Sequence, residues 1–258
     1  KSIELDPTHA FGYYVLGHIL YEHEFEFQKG YEAFQKALDL NPEHGLGLLT
    51  YAFFATATGR DREAGEAASR AIKADPFNSL VLYRAHPVFL NAGRYEDFLS
   101  EMDRKKRLRP DFDPRRMMVT YHRTKGEYEK ALKLWQILYD PERKDKRNMY
   151  SNETRQAHYL RGLARLKWSI GEVDEARNLA EQWLEVEDLE NVSLVSAAVV
   201  FAILRDNDRA MECLEKAYAE GDILVVRIQD HVMGWFLGNL LADEPRYHAF
   251  VERIGLQN

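Results

Sequence analysis

The stretch EHGLGLLTYAFFATATGRDREAGEAASRAIKADP, Glu43 to Pro76, decides how this chain is read. Leu48, Tyr51, Ala52 and Ala55 recur at helical spacing and predict a helix from about Leu46 to Thr58. Gly59 ends it, because a left-handed C-terminal residue costs glycine almost nothing. Asp61 then offers an N-cap to a second helix carrying Ala64, Ala68 and Ala71 on one stripe. Asp75-Pro76 stops that helix, since proline cannot continue the hydrogen-bond ladder.

The same stop recurs along the chain. Asp6-Pro7, Asn41-Pro42, Asp75-Pro76 and Arg109-Pro110 stand 35, 34 and 34 residues apart (7 to 42, 42 to 76, 76 to 110). Thr8 to Pro42 forms one unit, with Tyr13, Leu16, Gly17 and Leu20 on its first helix and Gly30, Phe34 and Ala37 on its second. Its turn, HEFEF at His23 to Phe27, replaces glycine and adds one residue. Phe77 to Pro110 gives Leu82, Ala85, His86 and Phe89 with a turn at Gly93; Pro87 predicts a kink in its first helix. Asp111 to about Tyr139 is a degenerate unit that keeps Gly126, Ala131, Trp135 and Leu138. The polar run Asp140 to Asn152 reads as a loop. A fifth unit from Glu153 has its turn at Gly171. A sixth, from about Asn191, puts Arg205-Asp206-Asn207-Asp208 where glycine is expected; asparagine tolerates the left-handed conformation.

Composition narrows the function classes. The 45% apolar content is enough for a large core. A net charge of −7 argues against a general nucleic-acid binder, whose footprint is basic. The runs Lys105-Lys106-Arg107 and Arg143 to Arg147 are interrupted by acidic neighbours and read as solvated faces. Cys213 is the only cysteine, so no oxidising compartment is required and a cytoplasmic setting is expected. No apolar run is long enough for a membrane span. No glycine-rich phosphate turn, nucleophile elbow or His/Cys cluster is present, so neither a catalytic residue, a metal nor a cofactor is expected. His18 and Glu22 share a helical face, but a third ligand would have to come from elsewhere.

These motifs resemble the tetratricopeptide repeat family from Thr8 to Gly221. The resemblance implies an all-α, right-handed α-solenoid of about six helix pairs closed by a C-terminal helical cap. Residues 1–139 would hold repeats one to four, with 1–7 as the tail of a preceding repeat. The loop 140–152, repeats five and six in 153–221, and the cap 222–258 would follow. Leu16 to Pro42 is also similar to a repeat of bacterial regulatory proteins, in which an effector domain precedes the array. That implies a non-enzymatic interaction or regulatory region of a larger bacterial protein.

In this family the first helix of each pair lines the concave face, so a second stripe beside the motif stripe is expected to face a groove. In repeat one that stripe is Phe11, Tyr14, His18 and Tyr21; Leu49, Phe53 and Tyr83 continue it, with Leu46, Leu80 and Leu90 nearby. It would hold a peptide, another protein or an upstream domain, unless helix packing or the tail covers it. Repeat four offers Asp113, Arg116, Thr120 and Arg123, or in the alternative register Pro114, Met117, Tyr121 and Thr124. Repeat five offers His158, Arg161, Arg165 and Trp168. Four arginines on one part of a groove would suit a carboxylate or phosphate, and a small anionic ligand is the alternative to a peptide. The stripe lacks the Lys and Asn pattern of a chaperone-tail carboxylate clamp. In the tail, Trp235 and Phe236 are expected against Leu214 and Ala217, with a closing helix from about Pro245 to Ile254.

Overall fold

The computed structural model describes residues 2–139, 152–187, 192–228 and 235–256. A short helix, α1 (Ser2–Leu5), comes first. Six helix pairs follow: α2 (Ala10–Glu22) with α3 (Phe27–Leu40), α4 (Gly45–Ala57) with α5 (Asp61–Ala74), and α6 (Ser79–Asn91) with α7 (Tyr95–Leu108). The next three are α8 (Arg115–Thr124) with α9 (Tyr128–Tyr139), α10 (Asn152–Ser169) with α11 (Val173–Val186), and α12 (Leu194–Ile203) with α13 (Asn207–Ala219). A 3-10 turn at Val225–Arg227, then α14 (Trp235–Leu240) and α15 (Pro245–Arg253), end the chain. No strand occurs among the described residues. The polar run 140–151 and the basic cluster within it lie outside the described residues.

One backbone device makes most of the turns. Arg60 N–H donates to Ala55 O, Arg94 to Phe89, Glu127 to His122 and Glu172 to Lys167, each reaching back five residues. The residue just before each donor is glycine at positive φ: Gly59, Gly93, Gly126 and Gly171. This closure satisfies carbonyls that a helix end would otherwise leave bare. In the sixth pair Asp206 reaches back to Phe201, and the left-handed residue is Arg205 (φ 61°), not Asn207, which starts α13. In the HEFEF turn Glu26 N–H reaches back six residues, to Leu20 O, and Phe25 takes positive φ. The extra residue in that loop is why the first period is 35.

Helix starts follow polar side chains only in part. Asn78, Ser193 and Asp206 accept from the first-turn amides of α6, α12 and α13. Asp61 is the first residue of α5, not its cap, and acts there on the helix dipole. His44 caps α4 instead, its Nδ1 accepting from Gly47 N–H at 2.9 Å.

The pairs stack through aromatic rings set on glycine. Phe34 of α3 is fully buried, and a Cβ built on Gly17 would lie 3.0 Å from its ring. The same ring meets Phe54 (5.1 Å), Tyr51 (5.7 Å) and Tyr21 (6.2 Å), so it joins the first pair to the second. A methyl on Gly47 would overlap the Tyr14 ring, and one on Gly162 would overlap Trp135. Trp135 also donates its Nε1–H to Tyr159 O at 3.1 Å. Alanines fill the narrowest crossings: Ala37, Ala68, Ala131, Ala180 and Ala217 are all buried.

The chain divides into two compact units, residues 1–105 with 221–235 and 248–258, and residues 106–220 with 236–247. In the first, Val225, Val226 and Ile228 of the tail are buried, and Gly255 approaches the Phe27 ring. In the second, Phe236 is buried, its ring edge-on to Trp168 at 5.0 Å with the Arg165 guanidinium 5.2 Å over it. The ring of Phe236 thus meets Trp168 and Arg165 of α10. The side chain of Trp235 lies outside the described residues.

His86 is an acid-labile element of the first unit. It is buried on α6, edge-on to Phe98 at 5.7 Å, and neither ring nitrogen has a hydrogen-bond partner. Burial, then the charges of Lys105 and Arg104, push its pKa down to about 3. The unfolded chain takes up this proton as pH falls below about 6.5, while the folded chain resists until about 3. Stability is therefore complete above pH 6.5 and falls progressively below it, by on the order of 2 kcal/mol at pH 5. Urea denaturation at pH 7 and pH 5 should show a smaller loss for His86→Leu than for the parent; equal losses would contradict this. Separately, Gly47→Ala should lose about 1–3 kcal/mol by overpacking against Tyr14, less the roughly 1 kcal/mol of helix propensity alanine regains. An undiminished urea midpoint would show that Tyr14 moves aside freely.

Candidate functional site

The apolar stripe of the first unit separates into three kinds of position. Tyr14, Tyr21 and Leu49 are almost completely buried, which corrects the expectation that they face a groove. Tyr14 lies over Gly47, stacks on His44 at 5.7 Å and donates its hydroxyl to Asn41 O at 3.3 Å. Burial pushes its phenol up to about 12. Tyr21 packs on Phe34 and Phe54 and donates to Glu22 Oε1 at 2.6 Å. Leu49 sits on α4, which packs against both α2 and α6. A first helix flanked on both sides has little surface left for a second stripe, which the sequence pattern does not reveal.

His18 and Phe53 are half-buried. His18 Nε2 meets Glu22 Oε2 at 3.2 Å, and Glu22 already accepts from Tyr21. Among the described residues no group of three His, Cys, Asp or Glu side chains is arranged to hold a metal ion. Phe53 carries two cations, Arg84 at 4.9 Å and Arg227 at 5.5 Å from its ring centroid. Arg227 belongs to the tail, so the chain itself covers this part of the stripe. Phe11 and Tyr83 remain exposed, at 45% and 55%.

The second unit gathers charge. On α8, Tyr121 is buried, while Arg116 is exposed and Thr120 and Arg123 are half-buried, so the arginine register is the outward one. On α10, burial first, then Arg123 and Arg161, hold Arg165 well below the ordinary guanidinium range. His158 contacts Tyr139 at 4.7 Å and Trp135 at 5.0 Å. Burial, then Arg161 and Arg116, push it down to about 4. Arg123 and Arg161 thus act on Arg165, and Arg161 and Arg116 on His158. The aromatic wall of Trp135, Tyr139 and His158 beside them was not foreseen; its signal was Gly162, which admits Trp135. Cys213 is half-buried, and burial raises its thiol.

A tetratricopeptide repeat profile matches residues 12–44, the α2–α3 pair with its turn and closing proline. A tetratricopeptide repeat protein from Parabacteroides merdae superposes with a TM-score of 0.59 over 91% of this chain and 88% of that one, at 15% identity. Residues 12–44 thus match a tetratricopeptide repeat, and the fold of the chain is similar to that of a tetratricopeptide repeat protein. The described residues are all-helical and pack in adjacent pairs, as in the solenoid fold of that protein. The Naa15/Naa10 complex bound to HypK-THB overlaps 99% of this chain and 40% of that one, with 14% identity and a TM-score of 0.41. PilF of Pseudomonas aeruginosa overlaps 96% and 93%, with 16% identity and a TM-score of 0.31. Both superpositions are too loose to bear on fold or function. No curated protein matches the sequence. Among the described residues no helix is long and apolar enough to cross a membrane.

The burial pattern separates packing from surface. Tyr14→Ala should cost about 3–5 kcal/mol of stability, as truncating a buried aromatic does. Tyr83→Ala should leave the urea midpoint nearly unchanged. The opposite order would return Tyr14 to the surface and overturn this assignment.

Proposed function

We propose that this tetratricopeptide protein is a non-enzymatic protein-binding scaffold that takes an acidic segment of its partner on α8 and α10. The observation that carries the reading is the shared field of Arg116, Arg123, Arg161 and Arg165. Guanidinium groups pair with carboxylates in a planar, two-bonded geometry, and partial burial strengthens the attraction. The half-buried Trp135 and His158 rings give a segment something apolar to lie against. The family supports the coarse statement, since tetratricopeptide arrays serve generally as interaction scaffolds. The finer reading, an interaction or regulatory region of a larger bacterial protein working in the cytoplasm, rests on the resemblance of Leu16 to Pro42 and belongs to this proposal.

A second reading has its own observation. Arg165 is half-buried among like charges, a setting that suits a small anion as well as a peptide side chain. Calorimetry with a glutamate-rich peptide and, separately, with small dianions distinguishes the two. The scaffold reading expects the peptide to bind, with affinity falling steeply between low and physiological salt. Arg116→Gln with Arg161→Gln should weaken it at least tenfold and flatten the salt dependence, while the melting temperature stays within a few degrees. Unchanged affinity would remove these residues from the account. Binding of a dianion alone would favour the sensor.

A further inference from the structure

The ring of Phe53 on α4 holds two guanidinium groups. Arg84 of α6 stands 4.9 Å and Arg227 of the tail 5.5 Å from its centroid. Two distances to one point cannot place the guanidinium carbons farther apart than their sum, about 10 Å. At that range water and salt screen the repulsion of like charges only in part. Val225, Val226 and Ile228, on both sides of Arg227, are buried in the first unit, so the backbone that carries this cation is held in place.

The carboxylate that shares their surroundings is already engaged. Burial and Glu22 raise the Tyr21 phenol well above its usual range, while Arg227 and Arg84 pull against that rise, so both cations act on this hydroxyl. The hydroxyl itself donates to Glu22 Oε1 at 2.6 Å, and Glu22 Oε2 meets His18 Nε2 at 3.2 Å. Both oxygens of that carboxylate are thus taken by partners on α2. Arg84 is exposed and makes no ion pair or hydrogen bond among the described residues. A ring face holds a guanidinium without using its N–H donors, which remain able to bond a planar anion.

We propose that Arg84 and Arg227 bind a single carboxylate group beside the Phe53 ring. A carboxylate has two oxygens in one plane, so each can accept from a different guanidinium. The two cations set against Glu22 leave one positive charge, which matches a monoanion better than a dianionic phosphate. A small organic acid and an acidic side chain of a partner both carry this group. Arg227 comes from the tail and Arg84 from the third helix pair, so an occupied site ties the tail to the repeats across Phe53. The site shares no residue with the arginines of α8 and α10 and stands independently of the function proposed for them.

Residue-resolved NMR of the full chain tests this. Sodium benzoate, or separately an end-blocked peptide with one glutamate, replaces chloride at constant ionic strength and pH 7. Amide shifts at Phe53, Arg84 and Val225 to Arg227 should change and saturate with at least one of the two probes. Tighter binding of benzoate assigns the site to a small acid, and tighter binding of the peptide to a partner's side chain; either result supports the proposal. Arg84→Gln should weaken the binding at least fivefold while the melting temperature stays within a few degrees, since that side chain is exposed. Arg116→Gln with Arg161→Gln should leave these particular shifts as they are. The proposal is overturned if neither probe gives saturating shifts at these amides, or if phosphate binds there more tightly than either carboxylate. It is also overturned if Arg84→Gln leaves the affinity unchanged.

Discussion

The ring of Phe34 resting on the bare Cα of Gly17 is the contact on which the stack depends. Glycine there lets α2 and α3 approach closely enough for one phenyl ring to reach four neighbours, Tyr14, Tyr21, Tyr51 and Phe54. Two of those neighbours belong to the next pair, so the ring that closes one hairpin also seats the following one. The same arrangement returns where Tyr14 lies over Gly47 and where Trp135 lies over Gly162. A solenoid has no single central core, so its stability is the sum of such neighbour contacts.

This economy decides where function can reside. Aromatic side chains that a groove would need are consumed in joining repeats, and the tail lays Arg227 on the half-open Phe53. Burial of that kind leaves Phe11, Val15, Leu16, Ile19, Leu80 and Tyr83 among the exposed apolar points of the first unit. In the second unit α8 carries an exposed Arg116 and a half-buried Arg123, and α10 the half-buried Arg161 and Arg165. Cations cannot be absorbed into packing without heavy desolvation cost, so they stay near the surface or share their field. The contrast between units thus follows from which side chains a stack can bury.

Much of the architecture was legible in the chain. Proline-marked stops at a period near 34, glycine at the turns and alanine at the crossings located the helix pairs and pointed to the family. Position on the helical wheel was a poorer guide to exposure. Tyr14, Tyr21 and Leu49 sit on the stripe beside the motif, yet they are buried because their neighbours across the interface are small: Gly47 makes room for Tyr14. That information lies 33 residues away (47 − 14) and becomes readable only once the two helices are known to touch. His44 as a cap, and Arg205 in the left-handed turn position, were hidden for a different reason: tertiary packing overrode local preference.

The claim that glycine is required by the ring above it is tested most directly by a double-mutant cycle on Gly17 and Phe34, read by urea denaturation. Gly17→Ala should destabilise the chain that keeps Phe34, because the new methyl meets the ring. In the Phe34→Leu background the same change should be neutral or stabilising, since the smaller side chain leaves space and alanine favours the helix. Equal costs of Gly17→Ala in both backgrounds would show that the ring and the glycine are independent, and would contradict the account.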